Sequence, residues 1–331
     1  MSGANVLLLP GPDGSNPLGF LAALGLLRTL SREPDLAPVA LRWVAAEGWR
    51  PEFTIGCPLT PKELVDRVQT RLSGTADRPE FTRLGKNLTA SRDEFHRFLT
   101  EVGAPAALGE TTSADFGAAF GSDALASDEG RMVDTAWRTM AGAGHQHFLE
   151  TMRNLMQKTE ARHIEKALLA PWRYDDPMAT LSLRLDPLDD KRYALLARDP
   201  SGDPSRQSGG SVQGANRLAI EALPLFPTMA VGKQLHTTGF RGQRASDTYC
   251  TWPIWTHPAN LDVVRSLLSL RDLAFLGWPL PPGVSAVEER AAARRERQAR
   301  TRLQGLGVAE VFRSQRLTIG KVRNFTPARS V

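Results

Sequence analysis

The densest apolar stretch of the chain comes early. From Leu18 to Leu30 the apolar positions are Leu18, Phe20, Leu21, Ala22, Ala23, Leu24, Leu26, Leu27 and Leu30, so the helix they predict has almost no polar face. A helix that is apolar all round is buried on most sides. Asn16 supplies an N-cap and Pro17 suits the first helical position, where its missing N–H is not needed. Arg28 and Arg32 fall near the negative end of the helix dipole. Gly19, Ala22 and Gly25 form a small-residue surface that lets another backbone approach. The preceding NVLLL reads as a short buried strand, and PGPDGSN as the turn that joins it to the helix.

Further along, the period changes to two. Val39, Leu41 and Trp43 alternate, AAEG reverses the chain, and Trp49, Phe53 and Ile55 return, which predicts a hairpin. Amphipathic helices follow behind the caps Thr60 (Leu64, Val65, Val68, Leu72) and Ser91 (Phe95, Phe98, Leu99, Val102), with His96 at the margin of the second. Residues 103–144, rich in Gly, Ala, Ser and Asp, read as loops around short elements. HFLETMRNLMQKTEARHIEKALLAPW predicts two helical segments or one bent helix. ATLSLRLD alternates as a strand, RYALLA is its partner, and RDPSGDPSRQSGGSVQG is a long polar loop. ANRLAIEALPLFPTM is a short apolar helix stopped by Pro224 and Pro227. KQLHTTGFRG and SDTYCTWPIW are strands, the second anchored in the core by Trp252 and Trp255. A helix over PANLDVVRSLLSL, a long basic helix ended by Gly305 and Gly307, and a basic strand and tail complete the chain. Repeats and sustained heptads are absent, and hairpins mix with helices without strict alternation. The expected class is therefore α+β: helices and mostly antiparallel hairpins around a buried N-terminal helix, with a basic C-terminal helix. We divide the chain into an α+β body, residues 1–280, and the basic helix with its strand and tail, residues 281–331.

Composition narrows the setting. The 331 residues are 41% hydrophobic, enough for a sizeable core. Met1 to Asn5 carries no Lys or Arg, and Pro10, Pro12 and Pro17 interrupt the apolar run. The unbroken stretch Leu18–Leu27 is about half of the roughly 20 residues a membrane span requires. Two cysteines, Cys57 and Cys250, make neither a disulfide framework nor a metal cluster. These features lead us to expect an unexported, cytoplasmic protein. The formal charge of +5 is unevenly placed. Residues 288–331 hold 11 Lys/Arg against 4 acids, or +7, which leaves 30 basic and 32 acidic residues, or −2, in the rest of the chain. Such asymmetry points to an anionic partner met by one end, or else to a solvated helix laced with Glu–Arg pairs.

The motifs of nucleotide binding, nucleophilic hydrolysis and zinc proteolysis are absent, and no cofactor or metal is expected. Of six histidines only His145 and His147 lie together, without a third ligand at metal spacing. Asp175 and Asp176 are adjacent and would face opposite ways on a strand, which suits a turn or a helix cap better than acid–base work. Asp115, Asp123 and Asp128 match no calcium loop. The arginines carry more. In GFRGQR, Phe240, Arg241 and Arg244 lie among glycines, an arrangement that can follow a phosphate backbone and stack a base, or form a hairpin tip with solvated arginines. On the basic helix Arg290, Arg294, Arg297 and Arg300 recur at spacings of four, three and three and share a face, with Arg295 and Arg302 on an adjoining one. Lys321 and Arg323 extend the positive charge into the last strand.

DGSNPLGFLAALGLLR resembles the N-terminal signature of large-subunit and accessory proteins of CRISPR type I effector complexes, in particular the I-G (formerly I-U) branch. The matching residues are Asn16, Pro17, Phe20, Leu21, Ala23, Leu24, Gly25, Leu26, Leu27 and Arg28, and GANRLAIEALPLFP followed by TWPIW is similar to a later part of such subunits. The resemblance covers roughly 40 residues, and the chain is short for the largest subunits of that class. It implies a non-catalytic role in antiviral defence: association with guide RNA, target DNA and other effector subunits, and recruitment of a helicase-nuclease. Two other readings are open. One is a protein-interaction adaptor for the helicase-nuclease that touches no nucleic acid. The other is a metal-dependent nuclease using Asp175, Asp176 and a distant histidine.

Overall fold

The computed structural model describes residues 5–140, 147–177, 181–189, 210–242, 247–278, 280, 283–319 and 322–331. Strand β1 (Asn5–Leu8) leads through a turn into helix α1 (Pro17–Leu30), and β2 (Val39–Ala46) and β3 (Gly48–Ile55) form the expected hairpin. Helices α2 (Pro61–Leu72) and α4 (Arg92–Ala107) begin at capping boxes: the hydroxyls of Thr60 and Ser91 accept the N–H groups of Glu63 and Glu94, whose carboxylates accept the cap N–H in return. The single turn α3 (Pro79–Thr82) lies between them. The small-residue region carries α5 (Thr112–Phe120), β4 (Gly121–Ala126) and β5 (Met132–Asp134). Helices α6 (Phe148–Lys158) and α7 (Ala161–Leu169) are two separate segments. The short pair β6 (Asp176–Pro177) and β7 (Gly210–Ser211) precedes α8 (Gln213–Ala222), which tightens into a 3-10 turn at Leu223–Leu225 where Pro224 ends it. Then come β8 (Thr228–Val231), β9 (Gln234–Thr237), β10 (Phe240–Arg241), β11 (Tyr249–Trp255), α9 (Leu261–Leu268), a 3-10 turn at Arg271–Phe275, α10 (Ala286–Gly305), β12 (Val308–Ile319), β13 (Val322–Phe325) and β14 (Arg329–Ser330). The class is α+β, and every strand pairing among the described residues is antiparallel.

Every residue of α1 is buried, and its two neighbours explain the missing polar face. On one side it lies along α8 at backbone distance: a Cβ on Gly25 would sit 1.8 Å from the Leu218 carbonyl oxygen. Only glycine permits that approach. On another side Phe20 inserts among Trp43, Trp252 and Trp255, with ring centroids 5.7, 5.7 and 6.3 Å away. Asn16 caps the helix, its side-chain oxygen accepting the N–H groups of Leu18 and Gly19.

Those tryptophans join the two main sheets. The first is three-stranded, in the order β1-β3-β2; the second runs β10-β11-β12-β13, with β14 also on β12. Leu41 and Ala259 exchange backbone hydrogen bonds, Trp255 Nε1 donates to the Leu41 carbonyl and Trp252 Nε1 to that of Gly14. Strand β11 precedes residue 281 and β12 follows it, so the second sheet is built from both segments of the sequence division.

Two expectations change. Strand β1 is an edge strand rather than a buried one: it pairs only with β3 among the described residues, and Val6 and Leu8, alternating onto one face, are about half exposed, at 53% and 49%. The leucines of ATLSLRLD are buried, but its described part, residues 181–186, is not a strand. Arg184 adopts φ 57°, which breaks the extended run, and side chains satisfy the backbone: Asn216 accepts the Leu183 N–H and Thr139 donates to the Leu183 carbonyl. Its supposed partner RYALLA and most of the polar loop lie outside the described residues, as do His145, Arg244 and Lys321.

Candidate nucleic-acid interface

The long strand β12 sets the geometry of the basic end. Arg313 and Arg316 are three residues apart on it and therefore face opposite ways. Phe240 and Arg241, adjacent on β10, divide in the same manner. Phe240 goes inward, its ring 4.7 Å from Trp137 in an edge-on contact and 6.2 Å from Phe325. Arg241 goes outward and lies over Trp278, 4.1 Å from the ring centroid, while donating to the Ala274 carbonyl. The sequence motif therefore splits across the sheet.

Arg313 shares the outward face with Arg241. Its guanidinium lies 5.5 Å from the Trp278 centroid, so the two arginines flank one indole. Arg313 Nε donates to Thr251 Oγ1 at 3.1 Å and Nη1 to the Gly277 carbonyl at 2.6 Å, and Nη2 is bonded to the Leu276 carbonyl. All of these acceptors are neutral. Burial, and then the charges of Arg329 and Arg241, lower its pKa to about 10. Burial also lowers that of Arg241. A cleft of about 390 Å³ opens here between β10 and the 3-10 turn at Arg271–Phe275, lined in part by His236, Phe240, Arg241, Arg271 and Arg313.

Helix α10 adds the second part. Ser285 caps it in a capping box like those of α2 and α4, and Glu288 and Glu289 suit its positive end. One narrow stripe holds it to the body: Ala292 and Glu296 are half-buried, and Ala299 and Leu303 buried. Arg290, Arg294 and Arg297 occupy the opposite face, exposed, and with Arg295 they have no carboxylate within 4 Å among the described residues. Arg300 and Arg302 flank the stripe and turn back to the body. Arg300 donates to the Val331 carbonyl at 3.0 Å and to Glu296 at 2.7 Å, and Arg302 pairs with Asp272. Val331 and Arg313 both lie beside Gly277, so a chain of neighbours runs from α10 through Val331 and Gly277 to the Arg313–Trp278–Arg241 stack.

Arg323 is placed elsewhere. It is the diagonal neighbour of Arg316 on the inward face, and Nη1 donates to the Arg138 carbonyl at 3.3 Å. Arg313, Arg316, Arg329, Tyr249 and Trp278 were not singled out from the sequence, although the alternation of EVFRSQR would have separated Arg313 from Arg316. Among carboxylates, Asp175 pairs with Lys166 at 3.2 Å, and Asp176 accepts the N–H of Gln213, the first residue of α8, at 2.9 Å. His96 Nδ1 is 2.6 Å from Asp123 on the surface. No group of three His, Cys, Asp or Glu side chains able to hold a metal ion occurs among the described residues. Among the same residues no helix is long and apolar enough to cross a membrane. No protein-family model, curated protein or solved structure matches the chain.

Proposed function

We propose that the protein is a non-catalytic, nucleic-acid-associated subunit of a CRISPR type I-like antiviral complex, holding the backbone of guide RNA or target DNA and helping to recruit the helicase-nuclease. The observation that carries the nucleic-acid part is α10, with Arg290, Arg294 and Arg297 turned away from the body and without carboxylate partners among the described residues. Guanidinium groups at this spacing suit successive phosphates, and Arg241, exposed over the Trp278 ring, adds a further cation beside an aromatic side chain. Contacts of this kind read charge and leave base sequence unread. The effector-complex part rests on the resemblance of residues 16–28.

Replacing Arg290, Arg294 and Arg297 together by Ala tests the reading. Binding to two unrelated single-stranded oligonucleotides should weaken equally, and the slope of log K against log salt should flatten by about 2 to 3 units. An unchanged slope in a folded variant would favour the adaptor reading, which draws its own support from Val6 and Leu8, apolar and exposed on one face of β1. Co-purification of partner subunits with the intact chain tests the place in a complex.

A further inference from the structure

On the inward face of the second sheet, away from the stack described above, three arginines come together. Arg316 and Arg323 are diagonal cross-strand neighbours on β12 and β13, and Arg138 approaches from the segment after β5. Burial, then Arg323 and Arg316, lower the pKa of Arg138 to about 10; burial, then Arg323, do the same for Arg316. Arg138 is paired with Asp134. Arg316 and Arg323 have no carboxylate within 4 Å among the described residues, and their hydrogen bonds go to the carbonyls of Ala136 and Arg138. Arg316 Nε is buried without an acceptor. Beside them lies a cavity of about 300 Å³, lined in part by Asp134, Thr237, Thr248, Arg316 and Arg323, with Lys233 reaching in from the exposed turn between β8 and β9.

Gathering like charges in a half-buried site is unfavourable unless an anion answers them. Here Lys233, Arg316 and Arg323 line the cavity together with one carboxylate, Asp134, which is already paired with Arg138. Two guanidinium forks beside an open cavity match the oxygens of a tetrahedral anion, and a lysine on a turn adds a movable point charge. We propose that this cavity binds a phosphate group, carried either by a nucleic acid or by a small phosphate compound. The proposal does not depend on α10, since the two sites share no residue.

The test uses the full chain and its thermal unfolding at fixed ionic strength, titrated with inorganic phosphate against chloride, and with a single-stranded oligonucleotide against its uncharged methylphosphonate counterpart. The variants are Arg316→Gln, Arg323→Gln and Lys233→Ala. Lys233 is exposed at a turn, so its variant keeps the test informative if an arginine variant fails to fold. Phosphate or the oligonucleotide should raise the midpoint; each substitution should weaken the apparent affinity about tenfold, and the α10 triple variant should leave the phosphate response unchanged. A response to phosphate itself identifies a small ligand as sufficient, whereas a response to the charged oligonucleotide alone, lost in Arg323→Gln or Lys233→Ala, assigns the site to nucleic acid. Absence of any response, or a response that survives in all three variants, would overturn the proposal.

Discussion

Two arginine clusters in this chain are built on opposite principles. Around α1 and α8 the charges nearly balance: Arg28, Arg32, Arg78 and Arg217 face Glu80, Asp115 and Glu221. Glu221 takes Arg28 and Arg217 at 3.0 Å each, and Arg217 also donates to the Leu72 carbonyl and Thr75. At the C-terminal sheet, Arg138, Arg241, Arg313, Arg316, Arg323 and Arg329 share one paired carboxylate, Asp134, among the described residues. The difference separates two uses of the same side chain. Arg28 and Arg217 are fully buried, and their charge is met inside the protein by Glu221, which offsets the cost of removing it from water. Arg313 is equally buried but bonded to neutral oxygens alone, whereas Arg316 and Arg323 are half-buried and bonded to carbonyls, oriented but not neutralised, so their charge remains available to an external anion.

Removing an acid should therefore act very differently in the two places. Glu221→Ala leaves Arg28 and Arg217 buried without their shared counter-ion and should destabilise the protein by about 3–5 kcal/mol, the largest effect foreseen here. Urea denaturation at neutral pH measures it. A loss below about 1 kcal/mol would mean that water or Asp115 already neutralises the pair, and the contrast would fail.

The next test concerns the packing that encloses that cluster. Gly25→Ala places a methyl group against the Leu218 carbonyl, forcing α1 and α8 apart. A cost of about 1–3 kcal/mol follows from overpacking. Denaturation should show it, and a neutral result would mean that the helices can slide at that crossing.

Acid should weaken the balanced cluster in a defined direction. Burial alone would raise the pKa of Glu221, but Arg217, Arg28 and Arg78 outweigh it and hold the carboxyl below its ordinary value of 4.5. As pH falls the unfolded chain then takes up this proton first. The contribution of Glu221 is present above the ordinary carboxylate range and is lost as pH drops through the lower folded value. Stability measured from pH 7 downward should decline below about pH 4.5, and less steeply in Glu221→Gln. Equal slopes in the two proteins would remove Glu221 from the account.

Sequence alone revealed the balanced region in part. The burial of α1, its Asn16–Pro17 start and the anchoring tryptophans follow from local composition. The role of Arg28 does not: its position marks it as a helix-end cation, whereas its partner Glu221 lies 193 residues away and only the α1–α8 crossing brings them together. Alternation in NVLLL could not reveal that β1 lies at a sheet edge, because strand order is a long-range property. In the open region, the spacing of Arg290, Arg294 and Arg297 identified the outward face of α10. The turning back of Arg300 and Arg302 depends on Val331 and Asp272, which no helical period encodes. The Arg241–Trp278–Arg313 stack was hidden for the same reason, since its members come from a strand, a loop and a second strand.

The smallest expected effect is also the sharpest contrast with Glu221. Arg290 and Arg294 are four residues apart, Arg294 and Arg297 three, and all are exposed on the face of α10 opposite its buried stripe. Like charges at these spacings repel one another and weaken a helix slightly. Replacing the three by Ala removes that repulsion and installs the best helix former, so stability should stay within about 0.5 kcal/mol of the parent and shift, if at all, upward. Added salt should stabilise the parent more than the variant, because only the parent has this repulsion to screen. Denaturation curves at low and high salt measure both quantities. A loss of more than 1 kcal/mol would show that these arginines hold α10 to the body, and the open region would then be structural in the same sense as the balanced one.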